Sequence, residues 1–355
     1  MNILIIGNLG YIGPVTVEHY KRTRPEAKLF GFDIGYFAGN ETVRNNMLPE
    51  TSLVAQYFGD VRTMDYSVLD DMDSVVYLAA ISNDPMGNVY EGPAHKINHE
   101  SAIAIAEESK KRGVKSFVFA SSCSVYGLAD KTPRNENSEI NPLTTYAKSK
   151  VNGEMDLKKL ADSSFQITCL RFATACGFSS RLRLDLVLND FVASAIVSEK
   201  IEILSDGTPW RPLINVKDMA RAIEWASVRE NGDRYLVLNV GSNHWNYSVL
   251  DLAKAVKKIM PEVEISVNQN ALPDNRSYKV DFSLFESLAK EYYPIHTIED
   301  TIQELIDGLR SVGFNDTGFR SSHLIRLNTL KALIKSNLLN NELEVVKHPA
   351  TVQQN

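Results

Sequence analysis

The chain is poor in cysteine, with only Cys123, Cys169 and Cys176 among 355 residues. Their spacing fits no zinc pattern, so no metal site is expected. Three cysteines cannot form a fully paired disulfide framework, which points to a reducing, cytoplasmic setting. Long hydrophobic runs are also missing. No apolar stretch reaches the roughly 18 residues of a membrane span. The opening MNILIIGNLGYIG reads as strand at once, with no basic n-region and no cleavage site, so neither a signal peptide nor a membrane is expected. Basic charge is not in excess: 38 Lys and Arg face 44 Asp and Glu, a formal net charge of -6. Broad nucleic-acid binding needs a basic face and is excluded. An anionic ligand must instead be held by a few local arginines and backbone amides. No repeat or low-complexity segment is visible.

What is present is a strand–helix alternation. Short runs rich in Val, Ile, Leu and Phe lie at Asn2–Ile6, Lys28–Phe32, Leu53–Phe58, Ser74–Leu78, Ser116–Ser121 and Gln166–Arg171. Helical patterns fall between them, such as Ala102–Arg112 and Thr145–Ala161. This order predicts a parallel sheet with helices on both faces. After Gly177 the pattern loosens. Helices are predicted at Leu182–Ser198, Val216–Arg229, Ser248–Ile259 and Thr297–Val312, with strands at Ile201–Leu204, Tyr235–Val240 and Glu262–Val267. The expected fold is α/β, a Rossmann-type doubly wound parallel sheet with a smaller, interleaved C-terminal substrate lobe. Residues 1–175 and 212–245 form the sheet domain and residues 176–211 and 246–315 the lobe. A helical tail, 316–355, carries an amphipathic stretch at His323–Leu339 and an end that reads as frayed from Pro349.

The first strand runs into Gly7-Asn-Leu-Gly10-Tyr11-Ile12-Gly13. Glycines here permit a tight turn and close approach of the backbone to a pyrophosphate, and the helix that follows offers its N–H groups to the phosphates. Asp33 ends the second strand, where a carboxylate accepts bonds from adenosine ribose hydroxyls and repels a 2′-phosphate. That favours NAD over NADP. The glycine turn alone also suits an α/β protein that binds another nucleotide.

Tyr146 and Lys150, in Thr-Tyr-Ala-Lys-Ser-Lys, are four apart on a predicted helix and share a face. A tyrosine is a poor base near neutral pH, with an ordinary pKa of about 10. A neighbouring ammonium and a cationic nicotinamide both favour the phenolate. Upstream, the fifth strand ends in Ser121-Ser122-Cys123-Ser124-Val125-Tyr126-Gly127, placing hydroxyls where α/β proteins bind ligands. Read without further context, the same serines could simply cap the next loop.

Taken in order, the glycine turn, Asp33, Gly59-Asp60-Val61, Leu78-Ala79-Ala80, Asn98, Ser-Ser-x2-Val-Tyr-Gly and Tyr-x3-Lys resemble the extended short-chain dehydrogenase/reductase superfamily. Within it they resemble the NAD-dependent epimerase/dehydratase family acting on nucleotide sugars, over residues 1–315. The resemblance implies that Asp60 and Val61 contact adenine, Leu78, Ala79 and Ala80 line the nicotinamide side, and Asn98 supports the cofactor-binding strand. It implies Ser122 as the catalytic hydroxyl, Tyr146 as base or acid, and Lys150 as its partner; Tyr146 and Lys150 are also expected at the cofactor, where the lysine can hold the nicotinamide ribose. Arg211, Arg276 and Asn189 fall at diphosphate-contacting positions. Two helices per subunit, about 88–112 and 143–161, would join a homodimer.

Departures limit the transfer. Where 4,6-dehydratases carry Asp-Glu after the catalytic hydroxyl, this chain has Cys123-Ser124, so 4,6-dehydration is set aside. Cys123 is either a small packing residue or a substrate-facing acid or base. Thr174 stands where many relatives have asparagine. Ser82, Asn83 and the run Arg181-Leu-Arg183-Leu-Asp185 are also unlike the familiar pattern. Arg181 and Arg183 either bind phosphate or a sugar acid, or lie on a helix surface. The expected activity is NAD-dependent epimerisation of a nucleotide sugar through a transient 4-keto sugar. The same residues would serve a 4-dehydrogenase or a 4-keto reductase. A non-catalytic NAD-binding regulator would not need Tyr146, Lys150 and Ser122 together.

Overall fold

The computed structural model describes residues 1–40, 48–128, 132–230, 232–271 and 277–346. Seven strands form the main sheet: β1 (Asn2–Ile6), β2 (Lys28–Asp33), β3 (Ala55–Phe58), β4 (Ser74–Tyr77), β5 (Ser116–Ser122), β6 (Gln166–Phe172) and, later in the chain, β10 (Tyr235–Val240). Their order is β10-β6-β5-β4-β1-β2-β3, and every neighbouring pair is parallel. The chain runs outward from β1 to β3, then returns to place β4 on the other side of β1. Ligands of such sheets bind at this reversal, beyond the C-terminal strand ends.

Successive residues feed opposite faces. Ile3, Ile5, Val76, Val118 and Leu170 pack on one side, and Leu4, Ile6, Val75, Phe117 and Ile167 on the other. Both faces are covered, which is why these strands are apolar throughout rather than alternating. Helices α1 (Ile12–Thr23) and α7 (Val216–Val228) cover the first face. Helices α4 (Ser101–Lys111) and α5 (Thr145–Leu157) cover the second, with α2 (Asp84–Val89) and α3 (Glu91–His95) leading into them. Pro14 falls in the first turn of α1, where its missing N–H costs no intrahelical bond.

Two small sheets complete the strands. β7 (Thr174–Cys176), β9 (Trp210–Asn215) and β11 (Asn246–Ser248) form one, in the order β11-β9-β7. β8 (Lys200–Ile203) pairs in parallel with β12 (Glu264–Val267). Around them lie α6 (Val187–Ser198), α8 (Val249–Ile259), α9 (Ser283–Leu288) and α10 (Ile298–Ser311). Helix α10 begins with a capping box, Thr297 and Asp300 each bonding the other's backbone N–H. The tail helix α11 (Arg326–Lys335) buries Leu330, and the chain beyond it buries Leu339 and Leu343.

The predicted strand boundaries hold to within a residue or two. Two helices are shorter than expected: α5 ends at Leu157, not Ala161, and α6 starts at Val187, not Leu182. Residues 182–186 instead run as loop, burying Leu182 and Leu184 while Arg183 and Asp185 pair with each other. β7, β9 and β11 were not foreseen; β7 and β11 have only three residues each, too few to carry a period-2 signal. The terminal residues from Pro349 lie outside the described residues. No helix among the described residues is long and apolar enough to cross a membrane, and no metal-holding cluster occurs among them.

Candidate active site

The glycine turn is built by backbone demands that only glycine meets. Gly7 has φ +86°, and a Cβ there would stand 2.5 Å from the Ala79 backbone nitrogen. A Cβ on Gly13 would stand 2.1 Å from the Asn8 carbonyl oxygen. These two glycines let β1, the turn and β4 close on one another and leave the first turn of α1 open to a ligand. Gly7→Ala therefore combines a disfavoured φ with a clash, a strain on the order of 1–3 kcal/mol. We expect that variant to purify without nucleotide and to melt earlier. Nucleotide released by denaturation would be the readout, and full occupancy would contradict the assignment.

Gly7, Gly10, Tyr11, Ile12, Asp33, Asp60, Val61, Leu78, Ala79 and Ala80 all line one cleft at the sheet reversal. Asp33 is fixed at its edge, accepting from Leu9 N (3.0 Å) and Gly35 N (2.7 Å). Burial pushes its carboxyl up, and these two N–H bonds pull it back. Gly13 lies behind the turn as a packing residue. Asn98 is fully buried, accepting from Ile81 N (2.8 Å) and donating to Ile81 O (3.2 Å) and Ser149 Oγ (3.1 Å). It clamps the chain leaving β4 onto α5 without reaching the cleft.

A second cleft joins the first, sharing Ile12, Leu78, Ala80, Ser82 and Arg183. Ser122, Tyr146 and Lys150 line it, together with Asn83, Thr174 and Arg211. Ser122 ends β5, and its Oγ accepts from Ser124 N at 3.1 Å. Tyr146 lies in the first turn of α5, which Thr144 caps by accepting from Ala147 N. Tyr146 and Ser122 line the same cleft, and Ser122 opposes the effect of burial on the Tyr146 hydroxyl. Lys150 is one turn on, its Nζ 5.6 Å from the Tyr146 ring centroid and 4.7 Å from that of Phe119.

Burial sets the protonation of this pair. It pushes the Tyr146 hydroxyl up to about 12, against the opposing pull of Ser122 and the Arg183 cation. It brings the Lys150 ammonium down to about 7. Both groups are thus held toward their neutral forms. Tyr146 is a proton donor in this state and becomes an acceptor only when positive charge is placed beside it.

Beneath the pair is a buried polar scaffold. Glu154, one further turn along α5, receives Arg171 in a two-pronged bond, with Nε to Oε1 at 2.9 Å and Nη2 to Oε2 at 2.7 Å. Ser121 Oγ donates to the same carboxylate at 2.5 Å. Arg171 Nη1 also donates to Tyr126 OH (3.0 Å), which donates to Asn239 Oδ1 (2.7 Å). Ser121 and Tyr126 thus bond to the scaffold, and Ser121, Ser122 and Ser124 line the cleft. The Ser124 hydroxyl has no protein partner among the described residues.

Several expected positions differ from the sequence reading. Cys123 does not face substrate: it is buried, and its Sγ donates to Arg171 O at 3.1 Å. Its thiol is pushed far up by burial, so it is the small packing residue. The Asn189 side chain is likewise turned inward. It accepts from Gly177 N (3.0 Å) and donates to Arg183 O (3.0 Å), which ties α6 to the loop before it. Arg181 and Arg183 are not surface arginines; both are buried, paired with Glu50 and Asp185 respectively. Arg183 Nη1 also donates to Ser82 Oγ (3.1 Å), and Asn83 Nδ2 to Asp185 Oδ2 (2.7 Å). The unfamiliar segments 82–83 and 181–185 are thus one network. Arg276 lies outside the described residues.

A parallel sheet with a glycine turn at its reversal, a carboxylate at the end of β2 and a Ser–Tyr–Lys set across the cleft defines a dinucleotide-binding protein of the short-chain dehydrogenase/reductase type. The chain belongs to the NAD-dependent epimerase/dehydratase family, whose sequence model matches residues 3–241. Its relatives include the UDP-glucose 4-epimerases of Pasteurella multocida (strain Pm70) and Bacillus subtilis (strain 168). They are 28% and 26% identical over 298 and 287 residues, and in each case 73% of this chain aligns with 82% of the relative. Among solved structures, UDP-glucuronic acid 4-epimerase from Bacillus cereus, in complex with UDP-glucuronic acid and NAD, superposes with a TM-score of 0.75. It is 22% identical, with 88% of this chain and 100% of that one covered. The NAD-dependent NDP-hexosamine 5,6-dehydratase TunA gives 0.75 at 23% identity, with 89% and 99% covered. The cofactor is NAD, and the cleft residues fit it.

Proposed function

We propose that this enzyme is a nucleotide-sugar 4-epimerase, with Tyr146, Ser122 and Lys150 as its catalytic residues. The observation that carries the reading is that Ser122, Tyr146 and Lys150 together line the second cleft where the dinucleotide cleft opens into it. Bound NAD supplies the hydride acceptor and donor, and its oxidised ring supplies positive charge. Tyr146 takes the proton of the sugar C4 hydroxyl and returns it after the keto sugar has turned over. Ser122 steadies the charge developing on the C4 oxygen. Lys150 favours the phenolate when protonated. Arg211 serves the diphosphate, and Ser82, Asn83 and Thr174 contact the sugar. In this reading residues 1–175 and 212–245 hold NAD, and residues 176–211 and 246–315 hold the nucleotide sugar.

The names of the relatives support 4-epimerisation, and so does the side-chain chemistry. The two residues after Ser122 are Cys123 and Ser124, neither of which carries a carboxylate to eliminate water. A panel of UDP-, GDP-, dTDP- and CDP-sugars followed by product NMR tests the proposal. A C4-inverted product without net formation of reduced nicotinamide is expected. Stoichiometric reduced nicotinamide would make the enzyme a 4-dehydrogenase, and consumption of added reduced cofactor a reductase.

Asp33 should carry the cofactor preference. Asp33→Ala is expected to weaken NAD by about 10- to 100-fold, the size of hydrogen bonds to a charged group, and NADP by less. Calorimetric titration of both cofactors decides it; equal losses would remove Asp33 from the ribose.

A further inference from the structure

Among the described residues Arg326 is the largest side chain with almost no exposure, at 1%. It opens the tail helix α11, beyond the segment matched by the family. It nevertheless lines the dinucleotide cleft, alongside Gly7, Gly10, Tyr11 and Arg183.

The tail is fastened across that cleft. Asn40 Nδ2 donates to His323 O (2.7 Å) and Thr329 Oγ1 (3.1 Å). Arg62 Nη1 and Nη2 donate to Glu342 O (2.6 Å) and Leu343 O (2.9 Å), and Tyr36 OH donates to Leu343 O. On the other side, Leu184 N donates to Leu324 O at 3.0 Å. The tail thus spans from the loop after β2 to the loop before α6.

The charges under it are unevenly paired: Asp33 and Asp185 attract Arg326 only from beyond ion-pair distance. Arg181 has Glu50 and Arg183 has Asp185. Arg326 has the Arg181 carbonyl (Nη2, 2.8 Å) and the Phe37 ring (4.5 Å to the centroid). It forms no carboxylate pair among the described residues, and its buried Nη1 has no hydrogen-bond partner there. Burial, then the Arg183 cation, lower its pKa to about 9. A guanidinium is costly to bury without an anion. Across the same cleft, the first turn of α1 presents its own N–H groups.

We propose that Arg326 is a cofactor-binding residue carried by the tail, its guanidinium closing on the NAD diphosphate from the side opposite the glycine turn. The tail is then a strap that retains the dinucleotide. The assignment holds whichever sugar the second cleft takes.

Stripped protein titrated with NAD, ADP-ribose, NADP and adenosine tests this without turnover. Arg326→Met is expected to weaken NAD and ADP-ribose by about 10- to 100-fold, as for loss of charge-assisted bonds, and to leave adenosine within about 2-fold. Arg326→Lys keeps the charge in the same pocket and should recover part of the loss. Unchanged NAD affinity in a folded Arg326→Met protein overturns the proposal. So does an equal loss of adenosine, or a loss confined to NADP, which would place the group at the ribose 2′ position. If Arg326→Met fails to fold, Arg326→Lys decides: ADP-ribose weakened more than adenosine upholds the contact, and equal affinities overturn it.

Discussion

Tyr146→Phe lowers turnover by about 10²- to 10⁴-fold while the protein keeps its NAD, the span expected when a positioned acid–base group is lost. The substitution removes one oxygen and leaves the ring against the Lys150 Nζ, 5.6 Å from its centroid. The cleft shape and the cofactor contacts of the glycine turn do not depend on that oxygen. The Ser122 hydroxyl remains, so some stabilisation of the C4 oxygen persists and activity does not vanish. Bound NAD, measured after denaturation, should match the parent. Unchanged turnover would remove Tyr146 from the chemistry, and loss of NAD would make it a binding residue instead.

Glu154→Ala is expected to cost about 3–5 kcal/mol of unfolding free energy, because it strands a buried guanidinium. Arg171 and Glu154 are both nearly inaccessible and joined by two parallel bonds. Removing the carboxylate also leaves Ser121 without its acceptor. Denaturant melts would show a lower midpoint with an unchanged slope. The double variant Glu154→Leu with Arg171→Met removes both charges and should recover most of the loss, since a buried pair can be replaced by apolar groups at little cost. A single-variant loss under about 1 kcal/mol would show that the pair is not holding the floor of the site. The scaffold matters for function because Ser121 adjoins Ser122, and Glu154 lies on the same helix face as Tyr146 and Lys150.

That face shows what the sequence made legible. Tyr146 and Lys150 were recognisable by their spacing, and Glu154 continues the same i, i+4 step. It escaped notice because its partner, Arg171, is on a strand that reads as plain apolar core. The sheet and its reversal were legible because buried parallel strands are continuously apolar. The glycine turn was legible because φ and close approach restrict it to glycine. Cys123 and Asn189 were misplaced for a common reason. Sequence order brings them near the cleft, but which way a side chain turns depends on neighbours distant in sequence, here Arg171 and Gly177. Arg326 had no local signal at all. Its place is set by tail contacts to residues more than 140 positions away, such as the bond to Arg181 O.

In the proposed mechanism hydride returns to the same C4 within one binding event. A nucleotide sugar carrying deuterium at C4 tests it most directly, once the accepted nucleotide is known from the sugar panel. A C4-inverted product that retains its deuterium is expected, with no label in the solvent and no accumulation of reduced nicotinamide. An inverted product with the label washed out, or oxidation that stops at the keto sugar, would contradict it.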